Sequence, residues 1–131
     1  MVSEILTVKC ETDGASTTGI CDLHSELFHS PPKHLVIPIG MKAKIWARRV
    51  AGEAETLFLI ELTKDITAPS PAWEIVDAVK LASKGELDLE KRRPVVLRGL
   101  TGREAFRISW SQPAAAKAYM MLEVEITDEA A

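Results

Sequence analysis

Hydrophobic and polar positions alternate with a period of two along most of the chain. Ile5, Thr7 and Lys9 alternate with Leu6, Val8 and Cys10, which predicts a first strand over 5–10. Residues 34–39 form a short apolar run closed by the turn signal Ile39-Gly40. Over 41–50, Met41, Ala43, Ile45 and Ala47 share one face, while Lys42, Lys44 and Arg48 share the other with Trp46. That is the signature of a half-buried antiparallel strand. A tight connection, Ala51-Gly52-Glu53, leads to residues 55–62, where Thr56-Leu57-Phe58-Leu59-Ile60 is apolar on both faces. A strand needs that when both sides are covered, at the centre of a sandwich or at a subunit contact.

Residues 67–72 hold two prolines among small residues and read as a loop, since proline cannot continue a ladder. Residues 73–83 fit a helical stripe through Ile75, Val79 and Ala82, and fit a strand through Trp73, Ile75, Asp77 and Val79. The alternation on either side favours the strand. Further strands are expected around Leu87 and Leu89, over 94–98, over 103–112 and over 118–127, with a turn at Arg98-Gly99-Leu100-Thr101-Gly102 and a break at 113–116. About eight short strands spaced by turns, without long helical segments, predict an all-β antiparallel β-sandwich, jelly-roll or Greek-key-like. The expected organisation is one domain over 1–131, with a Cys/His-containing hairpin and loop at 10–34 and a frayed tail at 128–131.

Composition narrows the class. The 131 residues carry 16 basic and 19 acidic side chains for a net charge of −3, which is the wrong sign for a general nucleic-acid binder. The apolar runs of the chain, such as residues 57–60, fall far short of the roughly 20 residues of a membrane helix. The opening stretch MVSEILTVKC lacks a basic start and a continuous apolar core, so no signal peptide is read there. The expected location is soluble, cytoplasmic or within an assembled particle. Asparagine is absent and Gln112 is the sole glutamine, a bias that points to a thermophilic source.

Both cysteines and all three histidines fall between Cys10 and His34. Thiolate and imidazole suit a tetrahedral zinc ion, and Cys10, Cys21, His24 and His29 are the candidate ligands for a zinc-binding protein or small metalloenzyme. The spacing lacks a close Cys pair. Asp13-Gly14 is a hairpin signal that could set Cys10 against Cys21, and a disulfide there would stabilise by roughly 3 kcal/mol in the chain-entropy model. Disulfide, free buried thiols and metal site all stay open, and no cofactor is otherwise called for.

No GxSxG, HExxH, P-loop or GxGxxG motif occurs. Asp77, Glu86, Asp88 and Glu90 could supply a glycosidase pair, yet they also read as solvated strand faces, so the chain leans away from an enzyme. Among seven aromatics, Phe58, Phe106 and Trp110 keep step with core positions. Trp46, Trp73 and Tyr119 remain as platforms for a saccharide or another small molecule in a lectin-like module. Arg48-Arg49 and Lys91-Arg92-Arg93 read as solvated runs or ion-pair partners.

More apolar residues occur than one sandwich face requires. Leu57, Leu59, Tyr119 and Met121 are the expected contacts with other copies of the chain. The sequence therefore reads as a non-enzymatic structural or binding protein that acts as a homo-oligomer. A trimer is the assembly that fold-level analogy suggests, without a nucleic-acid or membrane partner.

Overall fold

The computed structural model describes residues 4–129. Among them ten strands form: β1 (Glu4–Glu11), β2 (Thr18–Ile20), β3 (Leu35–Val36), β4 (Met41–Gly52), β5 (Thr56–Thr63), β6 (Glu74–Leu81), β7 (Gly85–Asp88), β8 (Val95–Arg98), β9 (Ala105–Ser111) and β10 (Ala118–Asp128). They make two antiparallel sheets. Sheet A runs β1-β10-β4-β7, with β8 also on β4, and sheet B runs β2-β9-β5-β6, with β3 also on β9. Apart from β2–β3, β5–β6 and β7–β8, each strand is followed by one in the other sheet. The result is the antiparallel β-sandwich that the alternation predicts.

The core sits between the sheets. From sheet A come Val8, Ala43, Ile45, Val50, Met120, Leu122 and Val124, and from sheet B Phe58, Ile60, Val79, Phe106, Ile108 and Trp110. Inward residues recur at every second position, as a pleated strand buried on one face requires. Within residues 73–83, Glu74–Leu81 form the strand β6 by pairing with β5, which lies between β6 and β9 in sheet B. No helix among the described residues is long and apolar enough to cross a membrane.

Three differences from the sequence reading have local causes. In β4 the strict alternation of Ala43, Ile45 and Ala47 would carry Arg49 into the core. A bulge prevents it: Leu122 pairs with Ala47 and Met121 with Arg49, so Arg48 is the extra residue and Val50 turns inward. The Asp13-Gly14 turn does not close a hairpin between Cys10 and Cys21. Gly14 takes φ 72° there, and the chain passes from β1 in sheet A to β2, which pairs with β9 in sheet B. At the end of the chain, β10 takes in Asp128, and Glu129 donates its N–H to the Gly40 carbonyl at 3.0 Å and pairs with Arg98. Residues 1–3 and 130–131 of the expected first segment and tail lie outside the described residues.

Candidate functional site

The two outer faces of the sandwich differ in chemistry. On sheet A the outward positions of β1, β10 and β4 mix uncharged residues (Ile5, Thr7, Trp46, Tyr119 and Met121) with charges, several of which are matched locally. Lys9 pairs with Glu11 at 3.2 Å, Arg48 with Glu123 at 3.2 Å, Arg98 with Glu129 at 2.6 Å, and Arg49 with Glu86. The bulge is what sets Arg48 and Arg49 side by side on this face. The sequence did carry a signal for it, because Ala47-Arg48-Arg49-Val50 breaks the alternation by one residue.

The aromatic candidates do not form one platform. Trp46 in β4 and Tyr119 in β10 lie half-buried on sheet A, and Trp73 precedes β6 in sheet B. Each ring holds a cation of the chain itself. The Lys9 ammonium is 4.8 Å from the Tyr119 ring centre, the Arg48 guanidinium 5.4 Å from Trp46, and the Arg107 guanidinium 4.2 Å from Trp73. Arg107 also bonds Glu61 at 3.0 Å, so Trp73, Arg107 and Glu61 form a stack at one end of sheet B.

The rest of the outer face of sheet B is nearly free of charge. One cross-strand row reads Ile20, Ser109, Leu59 and Ala78, and the next reads Thr18, Ser111, Leu57 and Lys80. Leu57 and Leu59 are half-buried, and Ile20 is 39% exposed. Of the four expected oligomer contacts, Leu57 and Leu59 lie here in β5. Tyr119 and Met121 lie on sheet A, where Met121 pairs with Lys9 and Arg49. The four therefore do not make one patch. Alternation could not reveal this, because it gives the side of a strand but not the sheet to which the strand belongs.

The Cys/His segment separates in space. Cys10 and Cys21 are free, fully buried and close enough to interact. Burial, reinforced by the neighbouring Cys21, pushes the Cys10 thiol well above its ordinary value. His24 and His29 are exposed, and His34 is half-buried. Among the described residues no three His, Cys, Asp or Glu side chains gather around a common point as metal ligands. The carboxylates considered for hydrolysis are taken up elsewhere: Asp77 pairs with Arg92 at 2.6 Å, Glu86 with Arg49, and Asp88 accepts the Glu90 N–H at 3.0 Å.

A groove crosses the outer side of sheet A. Its larger part, about 840 Å³, lies between β1 and residues 24–31, which strap the β1 edge. A second part of about 470 Å³ continues over Thr7 and Met121 to Arg48, Arg49 and the acidic β7 segment. The strap is fastened by reciprocal backbone bonds between Lys9 and His24, of 2.8 and 3.1 Å, and it turns away where the Phe28 N–H bonds the Ser25 carbonyl. Apart from the paired prolines at 31 and 32, no residue pattern signals this groove.

No family model matches the chain, and no curated protein matches it. Solved structures do resemble it. A subunit of the disulfide-linked pili of Bacillus endospore appendages aligns at 10% identity and TM-score 0.48 over 97% of this chain and 87% of that one. PirA aligns at 14% identity and TM-score 0.43 over 92% and 90% of the two chains. TmCBM61, solved with β-1,4-galactotriose, aligns at 11% identity and TM-score 0.42 over 88% and 67%.

Proposed function

We propose that this protein is a non-enzymatic β-sandwich that assembles with copies of itself through the outer face of sheet B. One observation carries the reading: Leu57 and Leu59 stand outward at the centre of that sheet, flanked by Ile20, Ala78 and serines, while sheet A is laced with ion pairs. Apolar side chains on the central strand of an open face gain from being covered, at about 25 cal/mol per Å² removed from water. A two-fold contact would set each Leu57 and Leu59 against the same residues of a second copy. The alternative use of Trp46, Trp73 and Tyr119 as sugar platforms is weakened by the cations already stacked on their rings. The jelly-roll winding and a heat-adapted origin belong to the same reading, since matched ion pairs gain value as temperature rises.

The test is a pair of face-specific variants compared by sedimentation. Replacing Leu57 and Leu59 together by aspartate buries like charges in the proposed contact and should leave single chains. Met121→Asp, on the opposite face, should leave the assembly intact. Dissociation by Met121→Asp alone would reverse the assignment of faces.

A further inference from the structure

We infer that the exposed edge of β1 is a docking site for an extended peptide, which adds to sheet A as a further strand between Ile5–Thr7 and the strap. The inference follows from the direction of backbone groups. Lys9 gives both its N–H and its C=O to His24, and the Thr12 N–H reaches the Ala118 carbonyl in β10. In an antiparallel ladder these directions alternate residue by residue. Even-numbered residues of β1 therefore bond β10, and Ile5 and Thr7 point their N–H and C=O groups to the same side as Lys9.

The strap begins to pair with that side and then stops. An antiparallel ladder started by Lys9 and His24 would continue toward Thr7 and Ile5, but the chain turns away at Ser25–Phe28. Among the described residues, Ile5 and Thr7 have no backbone partner on this side. The larger part of the groove opens at this place. Ile5, 58% exposed, and Leu27, 68% exposed, line it beside Phe28 and Met121, with Lys9, His24 and Glu26 at its polar parts.

The opposite sandwich edge is treated differently. β6 is the edge strand of sheet B, and the Arg92 guanidinium blocks it by bonding the Ala78 carbonyl at 2.8 Å and Asp77 at 2.6 Å. A charged plug is a common guard against unwanted strand pairing. The β1 edge has no such plug beside Ile5 and Thr7 among the described residues. Main-chain donors and acceptors at strand spacing next to apolar pockets are what strand addition uses: the backbone supplies affinity and the pockets select alternate side chains. The occupant is thus an extended peptide with apolar residues at every second position.

Amide hydrogen exchange read by NMR tests this on the full chain. In the free protein the Ile5 and Thr7 amides should exchange quickly while those of Leu6 and Val8 are protected. A capped peptide of alternating valine and threonine, at millimolar concentration, should slow exchange at Ile5 and Thr7. The same peptide with prolines at alternate positions should not. Thr7→Pro removes a donor that faces away from β10 and should weaken binding about tenfold. Leu27→Asp, at a strongly exposed position, should weaken it similarly without touching the sheet. The inference is overturned if the peptide leaves both amides unprotected, if the proline peptide binds equally well, or if β-1,4-galactotriose rather than the peptide shifts the signals of Ile5, Thr7 and Leu27. Running the series on the Leu57/Leu59 aspartate variant separates this site from the sheet B contact, since each can fail without the other.

Discussion

Gln112 is the chain's sole glutamine, and it is buried with Thr12 and Thr56. Its amide donates to the Thr56 hydroxyl at 2.8 Å and accepts the Ala116 N–H at 3.1 Å. The Thr12 hydroxyl donates to the Ala116 carbonyl at 2.7 Å and accepts the Ala118 N–H at 3.0 Å. These bonds satisfy the backbone of the break before β10, which the interior would otherwise leave without partners. Thr12→Val should therefore cost about 1–3 kcal/mol in urea unfolding, more than loss of a methyl-sized contact, because a buried N–H and C=O are both stranded. A cost near zero would mean water reaches both groups. Acid stability is set at the same scale. Burial pushes the Glu104 carboxyl up, but the Thr101 N–H and hydroxyl outweigh it and hold the group below its ordinary value. Backbone N–H bonds at Asp13, and bonds from Thr67 at Asp65, act in the same direction. A lowered folded-state pKa stabilises above the unfolded value and is lost as pH falls through the folded one. Stability should hold above about pH 5 and decline below about pH 4, with a shallower decline in Glu104→Gln. A midpoint that rises on acidification would contradict this.

At the scale of elements, much of the fold was legible because period-two patterning reports which side of a strand is buried. It identified Phe58, Phe106 and Trp110 as core, and each is at most 4% exposed. What it could not report is which sheet receives a strand: Asp13-Gly14 suggested a hairpin that could pair Cys10 with Cys21, whereas Cys10 lies in β1 of sheet A and Cys21 follows β2 of sheet B. Short β2 was hidden among turn residues, where Gly19 pairs with Trp110. The bulge at Arg48 was legible in principle, as a one-residue slip, but two adjacent arginines look equally like a solvated turn. The turn before β9 shows the same limit. Gly99 reads as a flexible turn residue, yet a Cβ there would stand 2.0 Å from the Pro38 carbonyl oxygen. The constraint is close backbone approach, and no local pattern encodes it. Gly99→Ala should displace the chain around Pro38 and lower stability by about 1–3 kcal/mol or more, measured by thermal unfolding. An unchanged midpoint would show that the two segments separate freely.

For the whole molecule, the asymmetry between the outer faces is the feature with functional weight. Apolar character on both faces was readable in residues 56–60, where Phe58 and Ile60 are buried and Leu57 and Leu59 half-buried on the outer side. Of the four expected contacts, Leu57 and Leu59 lie on sheet B, whereas Tyr119 and Met121 lie on sheet A among the Lys9–Glu11 and Arg48–Glu123 pairs. The candidate ligands His24 and His29 were adjacent in sequence to the cysteines but are exposed, while the thiols are sealed between the sheets. The crossover keeps Cys10 against Cys21 and brings the His24 backbone to Lys9, but it leaves the His24 side chain exposed. Light scattering coupled to size exclusion, over a range of concentrations, tests the central claim most directly. A solution mass that is a multiple of the 14.4 kDa chain, falling to one chain when Leu57 and Leu59 become aspartate, is the predicted result. A mass of one chain at every concentration would contradict it.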